Sequence, residues 1–194
     1  MASSTSTRDL FELNQVSASV SADSSLSFIE VHGFFYQENA TIGRLVDGLY
    51  SQSRARSDDT RLEYFRDTLQ QDSRIQKILS YYLELPRFRF PWGTTPGHDY
   101  NWDSRSSPTV GRGLIAYMCG SKSQWHCWDG SHMIESDGEL VANGTFELPH
   151  VLLAHYVKRE VNMEAGGILL VHTRLVHSAK VGRSIMLGFI KNTA

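Results

Sequence analysis

Apolar residues recur at helical spacing between Thr41 and Tyr50, where Ile42, Leu45, Val46 and Leu49 fall on one face. The stretch before it, Leu26 to Phe35, is apolar and β-prone, so a strand followed by a helix is predicted. Thr60 followed three residues later by Glu63 is a capping box, and Leu62, Phe65 and Leu69 line one face of the helix behind it. Ile75, Ile78, Leu79, Tyr82 and Leu83 repeat the pattern after Asp72 and Ser73, until Pro86 closes the segment. Beyond Pro86 a run of Gly and Pro punctuates a long loop. β-prone runs follow over Gly113 to Met118, Tyr156 to Met163, Gly167 to Val176 and Ser184 to Ile190. Helices followed by short antiparallel strands predict an α+β domain, with amino-terminal helices packed on a jelly roll or similar double-sheet barrel. Residues 1–25 are rich in Ser and poor in large apolar groups, which predicts a flexible tail. A single domain over 26–194 is expected, with helices mainly in 41–85 and barrel strands mainly in 110–190.

Composition narrows the function classes. The 194 residues carry 19 Lys and Arg against 21 Asp and Glu, which leaves no positive excess to hold a phosphate backbone. Nucleic acid is not an expected partner. No apolar run approaches the length of a membrane span, and no apolar leader stands in the first thirty residues. The two cysteines, Cys119 and Cys127, form no Cys-x-x-Cys pair, which excludes a zinc ribbon and suits a reducing compartment. A soluble, cytoplasmic protein is expected. A chain of this length needs no metal merely to fold, so any metal would serve chemistry.

Two stretches hold candidate chemistry. Gln124 to His132 contains two histidines, a carboxylate and a thiol in nine residues. It reads either as a metal-binding stretch around His126 and Asp129, or as a turn at Asp129-Gly130 with tryptophans packed on either side. From Ala165 to Ile190, a Gly-Gly turn precedes an apolar strand ending at His177, then a short turn and a strand opening with Arg183. That order would set His177 and Arg183 together at one barrel mouth.

The order of these features resembles the Fe(II)/2-oxoglutarate oxygenase superfamily, and most of all its phytanoyl-CoA dioxygenase-like branch. The carriers of the resemblance are His32-Gly33-Phe34-Phe35, Asp129-Gly130-Ser131-His132, and Ala165-Gly166-Gly167 leading to His177, with Arg183 on the next strand. It covers residues 26–190. The resemblance implies a double-stranded β-helix, with His177 as an iron ligand and Arg183 gripping 2-oxoglutarate. It also implies a small organic substrate, a lipid or a natural product. Such iron sites need two histidines and a carboxylate on one face of Fe(II). The family draws two of these from His-x-Asp or His-x-Glu, yet none of the eight histidines here has a carboxylate two residues on. The nearest substitutes are His98 with Asp99, or Asp103 beyond it, and His126 with Asp129. Neighbours on a strand face opposite sides, so His98 and Asp99 do not reach one iron from a regular strand.

Three readings follow. In one, the chain is a degenerate, non-catalytic subunit that pairs with an active homologous dioxygenase as a heterodimer. In the second, an irregular loop or bulge completes a divergent triad, and the chain is a dioxygenase in its own right. In the third, a metal-free barrel binds or isomerises an apolar small molecule. The aromatic clusters Phe88, Phe90, Pro91 and Trp92, and Trp125 with Trp128, read as interface anchors or as core.

Overall fold

The structure is a computed structural model and describes residues 20–52, 61–82, 98–102, 113–135, 138–141 and 144–190. Helix α1 spans Ser25–His32, where the apolar run predicts a strand. Phe28, Ile29 and His32 fall on one helical face and are buried there, so helical periodicity outweighs β-propensity. Gly33 ends the helix at φ +78, a conformation that favours glycine. Strand β1 follows at Phe34–Glu38.

Helix α2, Ala40–Ser51, forms as its spacing predicts. Asn39 caps it, its side chain accepting from the amides of Thr41 at 2.9 Å and Ile42 at 3.2 Å. A Cβ on Gly43 would come within 2.0 Å of the Ala165 carbonyl oxygen, so only glycine lets α2 lie this close to the strands. Helices α3, Arg61–Leu69, and α4, Ser73–Tyr82, also match the pattern. Asp72 caps α4 through the amides of Arg74 and Ile75. The Thr60 capping residue, the Pro86 terminator and the Phe88 to Trp92 cluster lie outside the described residues. So does most of the expected tail, but Val20 is buried and Ser25 opens α1, which brings 20–25 into the fold.

The remaining strands are β2 Gly113–Cys119, β3 Ser123–Trp128, β4 Glu139–Leu140, β5 Phe146–Glu147, β6 Lys158–Met163, β7 Gly167–His172, β8 His177–Val181 and β9 Ser184–Ile190. A short helix, α5 His150–Leu153, precedes β6. One sheet runs β1-β7-β2-β9 and the other β6-β3-β8, with β4-β5 as a separate ribbon. The named pairings are all antiparallel. This is the expected double-stranded β-helix, with helices on the four-stranded sheet. Every residue of β2 is buried, because α2 covers one face and the barrel interior the other.

The strand expected over Gly167 to Val176 divides. β7 stops at His172, a turn closed by Leu175 N–H donating to the His172 carbonyl at 2.9 Å follows, and β8 begins at His177 in the other sheet. The stretch after His177, read as a short turn, is thus a strand of the opposite layer. No helix among the described residues is long and apolar enough to cross a membrane.

Candidate functional site

His177 opens β8 with no exposed surface. The segment 98–102 lies against it, and Tyr100 and His177 exchange backbone hydrogen bonds of 3.0 and 2.9 Å. Asn101 does the same with Phe146 at 2.9 Å, and Trp102 donates its amide to Thr173 at 2.7 Å. This pinning makes the segment locally extended, and its side chains alternate. Tyr100 and Trp102 turn inward, their rings 5.5 Å apart, with Tyr100 4.9 Å from the imidazole.

A hydrogen-bonded chain runs through this interior. The Trp102 indole Nε1 donates to the Tyr117 hydroxyl at 2.7 Å, and that hydroxyl lies 2.9 Å from His177 Nε2. His177 Nδ1 lies 2.8 Å from the Leu175 carbonyl. A carbonyl only accepts, so Nδ1 carries the proton and Nε2 receives the Tyr117 hydroxyl hydrogen. Trp125 closes the cluster, its ring 4.4 Å from Tyr117 and 6.2 Å from His177, while Cys127 stands across from His177 in the β3–β8 register.

The electrostatics suit a neutral interior. Burial pulls the His177 pKa down to about 4, although the Leu175 carbonyl works against it. Burial also pushes the Tyr100 and Tyr117 hydroxyls and the Cys127 thiol upward, so no phenolate or thiolate forms here near neutral pH.

The other sequence candidates lie elsewhere. Asp99 points out of the barrel, accepting from Ser178 Oγ at 2.7 Å and Lys158 Nζ at 3.2 Å. Burial opposes its ionisation, but these bonds prevail and hold its pKa below the usual carboxylate value. His98 is exposed, with Nδ1 3.3 Å from Glu147. His126 alternates with the buried Trp125 and Cys127, and its Nε2 lies 3.7 Å from Glu160. Burial lowers its pKa, helped by Lys158 and Lys180. Asp129 sits at a turn, the second of the two readings of its stretch, 2.7 Å from His32 Nδ1 and 3.5 Å from Arg159 Nε. Asp103 lies outside the described residues.

Arg183 does not meet His177. A strand of about 13 Å separates the start of β8 from its end, and Arg183 lies beyond that end, exposed, its guanidinium 5.4 Å from the centre of the Tyr50 ring. The structure therefore separates the pair that the expected tight turn would have joined, because β8 occupies the residues between them.

Among the described residues no three His, Cys, Asp or Glu side chains are grouped to hold a metal. His177 has both nitrogens hydrogen-bonded, and its inward neighbours are Tyr100, Tyr117 and Trp125. The two-histidine, one-carboxylate donor set of Fe(II) does not fit this constellation.

No protein-family model matches the chain, and no curated protein matches it in sequence. Solved structures do. One is the non-heme α-ketoglutarate-dependent epimerase SnoN from nogalamycin biosynthesis, at 14% identity and TM-score 0.58, covering 89% of this chain and 83% of SnoN. This chain has the fold of such enzymes. AviO1 from Streptomyces viridochromogenes Tue57 is similar at 14% identity and TM-score 0.55, with 91% and 97% covered. Iron-bound HygX from Streptomyces hygroscopicus matches at 14% identity and TM-score 0.53, with 87% and 86% covered.

Sequence reasoning missed Tyr100, Trp102 and Tyr117. A signal was present: Tyr100-Asn101-Trp102 has the two-residue spacing of His-x-Asp, with aromatic groups in place of the ligands.

Proposed function

We propose that this chain is a non-catalytic, oxygenase-fold subunit that supports an active homologue in oxidising an apolar small molecule, a natural product or lipid. The single observation that carries this reading is that both nitrogens of His177 are engaged, one by the Tyr117 hydroxyl and one by the Leu175 carbonyl. Fe(II) and 2-oxoglutarate then belong to the homologue's pocket. The biosynthetic setting is supported by SnoN, whose own context is nogalamycin biosynthesis, and the phytanoyl-CoA dioxygenase-like motifs point to the same substrate class. The reading puts the heterodimer in the cytoplasm, where the free thiols of Cys119 and Cys127 suit a reducing milieu.

A subunit of this kind needs an apolar surface for its partner. Val31, Met133 and Val157 are 52%, 67% and 53% exposed. Their backbones converge on one turn: Asp129 N–H donates to Val157, Met133 N–H donates to Gly130, and Gly130 lies beside the Val31 carbonyl. This surface is the candidate contact.

The deciding experiment is anaerobic titration of the purified chain with Fe(II) and 2-oxoglutarate, followed by visible absorption. The expected result is no charge-transfer band, together with stimulation of a co-expressed homologue that has an intact His-x-Asp. A band that disappears in His177→Ala would overturn the non-catalytic reading and make the chain a dioxygenase itself. Homologue activity indifferent to the chain would overturn the partner role.

A further inference from the structure

The mismatch between the His177 surroundings and a metal site has a definite location. The residues able to meet His177 from the facing segment are set by backbone pairing. Tyr100 is directly opposite His177, and its side chain lies against the imidazole. Residues two apart on an extended segment share a face, so the next residue on that face is Trp102, which reaches the same cluster through Tyr117. Asp99, one residue out of phase, goes to Ser178 and Lys158 on the other side. A facial metal site requires two further ligands converging on an ion held by Nε2, the nitrogen that here accepts from the Tyr117 hydroxyl.

We infer that Tyr100 and Trp102 fill the two positions from which a second and a third metal ligand would meet His177, and that the Tyr117 hydroxyl holds the coordination position on Nε2. The cluster is thus a hydrogen-bonded, aromatic substitute for a metal site, with the framework for a divalent cation retained in the backbone. The missing carboxylate is absent from the correct face rather than shifted along the chain to Asp99 or Asp129. This inference rests on the reading that the unaltered chain does not use His177 as a ligand.

The test restores donors at those positions. A triple variant, Tyr100→His, Trp102→Asp and Tyr117→Phe, is titrated with Co(II) alone, read by its visible d–d absorption, with near-ultraviolet circular dichroism as the check on folding. Binding at least a hundredfold tighter than in the unaltered chain is expected, and it should vanish when His177→Ala is added. A control carries the same donors out of phase, Asp99→His with Asn101→Asp and Tyr117→Phe, and should gain nothing. A milder variant, Trp102→Asp with Tyr117→Phe, keeps Tyr100 and should gain about tenfold if the triple variant does not fold.

A folded triple variant no tighter than the unaltered chain would overturn the inference, as would equal binding by the out-of-phase control. Collapse of both in-phase variants counts against it too, because positions proposed as ligand sites would then not tolerate ligands. Failure of the function reading is seen separately: there the unaltered chain itself binds Fe(II) with 2-oxoglutarate through His177.

Discussion

The segment 98–102 has two faces, and they behave as two different materials. Inward, Tyr100 and Trp102 join His177, Tyr117 and Trp125 in an apolar cluster tied by directional hydrogen bonds. Outward, Asp99 meets Ser178 and Lys158, and Lys158 also lies 5.0 Å over the Trp128 ring. A charge is stable at Asp99 because Ser178 and Lys158 both donate to it. On the inner face a charge is buried with no such partner, which is why His177 is held neutral. The comparison teaches that residue type was no guide to the site: the charged residues went to the outer face, and the single histidine of the inner cluster was matched with aromatics.

The contrast breaks most sharply at the inner face. Tyr117→Ala removes a fully buried ring and the hydroxyl that bonds both His177 Nε2 and the Trp102 indole. Loss of about 3–5 kcal/mol is expected, readable by urea denaturation at pH 7. A loss below about 1 kcal/mol would show that the cluster is not packed as described.

Acid separates the two faces by pH. The ordinary histidine value of 6.5 falls to about 4 for folded His177, so the unfolded chain takes up its proton first. The neutral-form stability is full above about pH 6.5 and is lost as pH falls toward 4, by about 3 kcal/mol in all. His177→Asn should flatten that part of the curve. Asp99 has a lowered pKa, so its contribution is lost only below the ordinary carboxylate value of 3.8. A pH profile unchanged by His177→Asn would count against a neutral buried imidazole.

Smaller effects are expected outside. Asp99→Asn weakens the bonds to Ser178 and Lys158 and should cost about 1–2 kcal/mol in the same denaturation assay at pH 7. Arg183→Ala removes an exposed stack on Tyr50 and should cost at most about 1 kcal/mol. A large loss for Arg183→Ala would point to a role beyond that stack.

Much of the fold was legible in the chain. The helical spacing of Ile42, Val46 and Leu49, and of Ile75, Ile78 and Leu79, marks buried faces of α2 and α4. Ser184 to Ile190 is a strand as read. The readings that failed share one cause. Leu26 to His32 is as apolar as a strand, and its helical face shows only when α1 packs beside α4. The strand expected up to Val176 ends at His172 because the chain crosses to the other sheet, a choice made by partners far along the sequence.

The sequence by itself determined periodicity, the charge balance and the absence of His-x-Asp, because each is a property of neighbours along the chain. The tertiary structure alone decided that Tyr117, 60 residues before His177, would take its Nε2, that Asp99 would face away, and that Arg183 would pack on Tyr50. The physical reason is the two-residue period of a strand. Shifting the pairing of 98–102 with β8 by one residue would exchange its two faces, and that pairing is written in hydrogen bonds between segments distant in sequence.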